Sequence, residues 1–143
     1  MSIDQQVLTE ALNAEYSAVY AYGVIAAYAS PERSKVVAEY LAAHRARRDA
    51  TIDALKTAGA TVPAPAAAYS PPFTVDNPIP AAALAVTVES DTAVAWRSVV
   101  ERATTPDLRR TGIDGLTESA GRLATWQSVL GVTPPTAPFP GQP

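Results

Sequence analysis

Six prolines fall within residues 60–80, at 63, 65, 71, 72, 78 and 80. Proline lacks the amide proton and locks its own backbone, so this stretch cannot be helix, and it is too long for an ordinary loop. On either side the sequence is rich in alanine, the strongest helix former. The proline segment therefore divides the chain into two helical halves and must carry it from one to the other. Extended at about 3.1 Å per residue, it can run the length of a helix pair about 37 Å long.

Each half divides again at a proline. Ser2 with Gln5 reads as a capping box, and Leu8, Ala11, Glu15, Ala18, Tyr22 and Ile25 follow at helical spacing. Ser30-Pro31 is an N-cap with proline at the first helical position, so a second helix begins almost at once. Its stripe is Val37, Leu41, His44, Arg48, Thr51 and Leu55, and Gly59 ends it. A third helix carries Ala82, Ala85, Glu89, Ala93, Trp96 and Val100. Thr105-Pro106-Asp107 opens a fourth through Leu108, Leu116, Leu123, Trp126 and Leu130. The expected helices are 3–29, 31–58, 79–104 and 106–130, with a crossover at 60–78 and a proline-rich tail at 131–143. The expected fold is all-α: a single domain over 1–143, in which two antiparallel hairpins joined by a long crossover form a four-helix bundle.

The composition narrows function by exclusion. With no cysteine there are no disulfides and no thiolate metal sites. A formal charge of −3 gives no reason to expect nucleic acid or an anionic membrane as partner. Charges and tyrosines interrupt every apolar run before a membrane span could form. The start MSIDQQVLTE has no basic segment leading into an apolar one, which reads as a cytoplasmic protein without a signal peptide.

The chemistry lies in polar residues set into apolar stripes. Measured from the first turn, Glu15 and the only histidine, His44, stand at the same height on facing helices. Measured from the second, so do Glu89 and Glu118. Carboxylates and an imidazole at one level inside a bundle are ingredients of a metal site, and they cost several kcal/mol to bury without compensation. Arg48 lies one turn beyond His44, and Arg122 one turn beyond Glu118, placed to pair with these carboxylates.

The elements ALNAEYSAVYAYGV, AHRARRDATIDAL and the terminal PFPG resemble a ferritin-like actinobacterial family of unknown function, over nearly the whole chain. That resemblance implies the ferritin-like fold. In the wider superfamily a di-iron centre takes a Glu from helices one and three and a Glu-x-x-His from helices two and four. Glu15 and Glu89 match the first pair, and His44 and Glu118 match half of each motif. Leu41 stands where the other Glu would be, and Gly121 where the other His would be. The implied reading is a degenerate di-iron site in a non-catalytic or binding module without cofactor, its cluster Glu15–His44–Glu89–Glu118 tied by Arg48 and Arg122. The alternative is a reduced single-metal site for iron or manganese, in a metal-binding protein or oxidoreductase. A further reading is a small-molecule pocket lined by Tyr22, Trp96 and His44.

Elsewhere the residues read as packing. Trp96 and Trp126 are expected in the core, and Arg45 and Arg47 on a solvated helix face. Tyr69, Phe73 and Phe139 are expected to pin crossover and tail onto the bundle, with a homodimer contact as their other use.

Overall fold

The computed structural model describes residues 1–143, which form four long helices and no strand. These are α1 (Ile3–Tyr28), α2 (Ser34–Thr57), α3 (Pro78–Arg102) and α4 (Pro106–Val129), with a short 3-10 turn at Pro31–Arg33 ahead of α2. The caps explain the boundaries. Ser2 and Gln5 form the reciprocal capping box. Asn77 and Thr105 accept from Ile79 and Leu108 at the starts of α3 and α4, each followed by proline at the first position. Gly59 closes α2 with φ at +70°, a conformation that favours glycine. Ser30 makes no side-chain cap, and the turn after it delays α2 by three residues relative to the expectation. No helix is long and apolar enough to cross a membrane.

The helices assemble as a bundle in which α1 packs on α2 and α3, and α3 packs on α4. The Gln5 side chain donates to the Ala58 carbonyl, placing the start of α1 beside the end of α2. Asp4 accepts from the amide and hydroxyl of Thr104, placing it beside the end of α3 as well. Apolar clusters occupy both ends. One gathers Tyr22, Ile25, Val37, Leu84 and Trp126; the other end holds Val7, Trp96 and Val99, and Leu8, Leu12 and Leu55 beside them.

Two features depart from the stripes read in the sequence. The buried face of α4 runs through Gly112, Gly115, Ser119, Arg122 and Trp126 as well as Leu123, while Leu108, Leu116 and Leu130 are only partly buried. The glycines are the reason, because they let α4 approach α3 closely. A Cβ on Gly115 would lie 2.5 Å from the Trp96 ring, and one on Gly112 would lie 2.9 Å from the Val100 backbone nitrogen. The second departure concerns the tail. Phe139 is 66% exposed and pins nothing. It is the backbone that docks, with Arg97 donating to the Pro140 carbonyl and Gly141 lying against Ala93. On the crossover, the Tyr69 ring packs at a tilt against Tyr20, with centroids 5.4 Å apart, whereas Phe73 is exposed.

The close approach of α3 and α4 predicts opposite effects for two glycines of one helix. Gly115→Ala overpacks Trp96 and is expected to destabilise by about 1–3 kcal/mol. Gly121→Ala, which has nothing within 4 Å, is expected to stabilise by roughly 0.5–1 kcal/mol through helix propensity. Urea unfolding of the two variants reads the difference; equal effects would contradict the packing described.

Candidate functional site

Between the apolar ends lies a polar layer to which every helix contributes a charged residue. Glu15 of α1, His44 of α2, Glu89 of α3 and Arg122 of α4 are all buried. Each stands in a helical stripe whose other members are apolar or small, so folding the stripe inward carries it to the centre. His44 lies between the two carboxylates. Its Nδ1 is 2.6 Å from Glu15 Oε2 and its Nε2 is 2.9 Å from Glu89 Oε2.

The other carboxylate oxygens have their own donors. Trp96 Nε1 donates to Glu15 Oε1 at 2.8 Å, and Arg122 Nε donates to Glu89 Oε1 at 3.0 Å. The Tyr22 hydroxyl donates to Glu89 Oε2 at 2.5 Å and accepts from Trp126 Nε1 at 3.0 Å. Arg122 is also 3.4 Å from the Ser119 hydroxyl. No buried side-chain nitrogen or oxygen lacks a partner. Two carboxylates thus face one imidazole and one guanidinium, and with the imidazole protonated the layer carries no net charge.

The protonation states follow from this geometry. Burial disfavours a charged imidazole, but the hydrogen bonds and charges of Glu15 and Glu89 outweigh it and raise His44 to about 9. Both ring nitrogens then donate. Burial likewise disfavours the Glu89 carboxylate; His44, Arg122 and Tyr22 overcome it and hold Glu89 below its ordinary value. Tyr22 is pushed well above the usual phenol range by burial and by the Glu89 charge, so its hydroxyl stays a donor.

Of the four groups placed at one height, the fold brings together Glu15, His44 and Glu89. Glu118 stands apart. Its side chain is 48% exposed and accepts from Arg47 at 2.7 Å, because it lies at the edge of α4 that faces α2. Arg122 accordingly pairs with Glu89 and not with Glu118. Arg48 reaches neither Glu15 nor Glu89; its Nε contacts Asp49. The cause is rotation about α2. Residues three and four beyond His44 diverge by 100°, so Arg47 leans towards α4 and Arg48 towards the crossover beside Pro65 and Tyr69. Arg47 does not join a solvated face: its guanidinium lies over the Trp96 ring, 5.6 Å from the centroid. Tyr22 and Trp96 line no open pocket, being fully buried donors to the carboxylates.

Sequence reading missed Ser119 and Tyr40. The signal for Ser119 was the small-residue series Gly112, Gly115 and Ser119, which marks the true inner face of α4. Tyr40, whose hydroxyl donates to Thr125 at 2.9 Å, carried no signal beyond lying one heptad before Arg47.

Fold and site define a helical bundle closed around an ionic layer in which no buried polar atom lacks a partner. The chain belongs to the family described as domain of unknown function DUF4439, whose model matches residues 7–143. It is similar to a conserved hypothetical protein, rv2844, from Mycobacterium tuberculosis, whose crystal structure superposes with a TM-score of 0.86 at 42% identity. That match covers 89% of this chain and 96% of the other. No curated protein matches the sequence.

The layer makes stability depend on pH in a defined direction. His44 has a folded value above its unfolded one, so its contribution is complete below about pH 6.5 and is lost as pH rises through about 9. Glu89 has the opposite sign: its contribution is present above its ordinary value of 4.5 and is lost on acidification. Urea unfolding is expected to show a plateau at about pH 5–6.5 and a loss on the order of 3 kcal/mol by about pH 9.5. His44→Gln should remove this alkaline loss; an unchanged alkaline limb in that variant would show that another group titrates.

Proposed function

We propose that this chain is a single ferritin-like domain, two antiparallel hairpins joined by the proline-rich crossover, whose di-iron positions are held by protein charges. In this reading it is a binding module without redox catalysis. The carrying observation is that His44 donates from both ring nitrogens to Glu15 and Glu89, while Arg122 occupies the remaining oxygen of Glu89.

The residues do not fit a di-iron centre. A metal needs lone pairs that converge on one point, and here the oxygens of Glu15 and Glu89 each accept from an N–H or O–H donor. The two carboxylates lie on different edges of the imidazole, which separates them. Leu41 and Gly121 offer no ligand atoms where the superfamily places Glu and His, and Glu118 points outward to Arg47. The guanidinium of Arg122 is permanently charged and repels a dication beside Glu89. A single-metal version would meet the same obstacles, since His44 must first lose a proton that two carboxylates hold.

Protein purified from iron- and manganese-supplemented cultures is expected to contain neither metal in stoichiometric amount, and chelator should leave its melting temperature unchanged. Stoichiometric metal that disappears in Glu15→Ala would overturn the reading. Arg122→Met supplies an independent check: it leaves Glu89 without its guanidinium and is expected to cost about 3–5 kcal/mol of stability. A variant as stable as the parent would show that Arg122 is not part of the central charge balance.

A further inference from the structure

The α2–α4 side of the bundle differs from the others. The backbones of these helices stay apart, and two polar rungs one heptad apart span the gap: Tyr40 to Thr125 and Arg47 to Glu118. Beside the rungs lies a solvent-open cleft of about 490 Å³, bordered by Tyr40, Arg47 and Glu118 and within the size range of small-ligand sites. Its α2 wall is Ala43, Ala46 and Ala50, whose short side chains leave the space.

Two guanidiniums border it. Arg122 is 9% exposed, and its position is fixed by Glu89, Ser119 and the Tyr40 ring, 6.0 Å away. Its Nη1 makes no hydrogen bond, yet no buried polar atom lacks a partner, so this nitrogen meets the solvent of the cleft. Arg47 is fixed over Trp96 and already binds one carboxylate at 2.7 Å, that of Glu118. Guanidiniums whose positions are fixed by ion pairs and neighbouring aromatic rings are pre-organised donors for a carboxylate.

We propose that the α2–α4 cleft binds a small organic carboxylate, its head group between Arg47 and Arg122 and its apolar body against the alanines and Tyr40. Glu118 is the internal competitor. In the free protein its carboxylate occupies the Arg47 donor, and on binding it swings to solvent, where its side chain is already half exposed. The charge balance permits this: Glu89 continues to neutralise Arg122, and the ligand replaces Glu118 on Arg47. This proposal rests on the ion-paired reading of the core, which fixes Arg122 at the inner wall.

Benzoate titrated into the full-length chain, followed by amide NMR shifts, tests it. Saturable one-to-one binding is expected, with shifts confined to residues around 40–50 and 118–122. Benzamide, which keeps the shape and loses the charge, is expected to bind about tenfold more weakly or less. Glu118→Gln frees Arg47 and is expected to tighten benzoate about threefold to fivefold, the worth of one exposed ion pair. Arg47→Gln should abolish binding with its melting temperature kept close to the parent. Benzamide binding as tightly as benzoate, or Glu118→Gln binding no tighter than the parent, overturns the proposal without depending on a destabilised variant. Metal content of the same preparations separates the two readings. Metal-free protein that ignores benzoate overturns the ligand inference alone, whereas stoichiometric metal overturns the ion-paired core.

Discussion

An imidazolium between two buried carboxylates is the constraint on which this bundle turns. Each helix supplies one charged residue to the layer, and each charge is useful only if the other three arrive at the same height. A buried ion pair adds little net stability over an apolar core of similar volume, but a buried charge without its partner is strongly unfavourable. Sliding any helix along its axis would strand its charge against the apolar clusters above or below. The layer thus sets the relative heights of four helices whose alanine-rich faces would otherwise tolerate several registers. Trp96 and Tyr22 complete it by turning the polar edges of large core rings towards the carboxylates, and Trp126 donates to the Tyr22 hydroxyl, so that core volume and hydrogen bonding come from the same residues.

The helices and the centre of the layer were legible in the sequence for related reasons. Proline at the first helical position and a capping side chain before it located the starts of α3 and α4 to within a residue, whereas Ser30-Pro31 marked a 3-10 turn and α2 itself began three residues later. A carboxylate or imidazole in an apolar stripe announces its burial, as Glu15, His44 and Glu89 do. Rotation about the helix axis was less legible. Arg47 and Arg48 are adjacent in sequence, and which of them turns towards α4 depends on where α4 lies. Helix α4 carries leucines along one line and glycines along another, and the glycines prevail because only they admit the Trp96 ring. Leucine content suggested an inner line too far round the helix, although Leu123 and Trp126 are buried as expected; Glu118 was placed inside by its height from the turn, which says nothing about which way the helix is rotated. The docking of the tail was illegible for another reason: it uses the backbone at Pro140 and Gly141, while the conspicuous side chain, Phe139, remains in solvent.

The same two choices of small residue make the bundle asymmetric. Glycine on α4 draws it against α3 until the Trp96 ring lies on bare backbone. Alanine on α2 has the opposite consequence, because the Tyr40 and Arg47 rungs hold α4 away and the alanines cannot fill what remains. Small side chains close one seam where nothing longer spans it, and open the other where something does. Arg122 sits where the two seams meet. Its Nε is committed to the sealed interior through Glu89, and its Nη1 faces the open side. Anything that binds in the cleft therefore touches a residue whose position is fixed by the charge balance of all four helices, so the ion-paired core forms the inner wall of a solvent-open cavity.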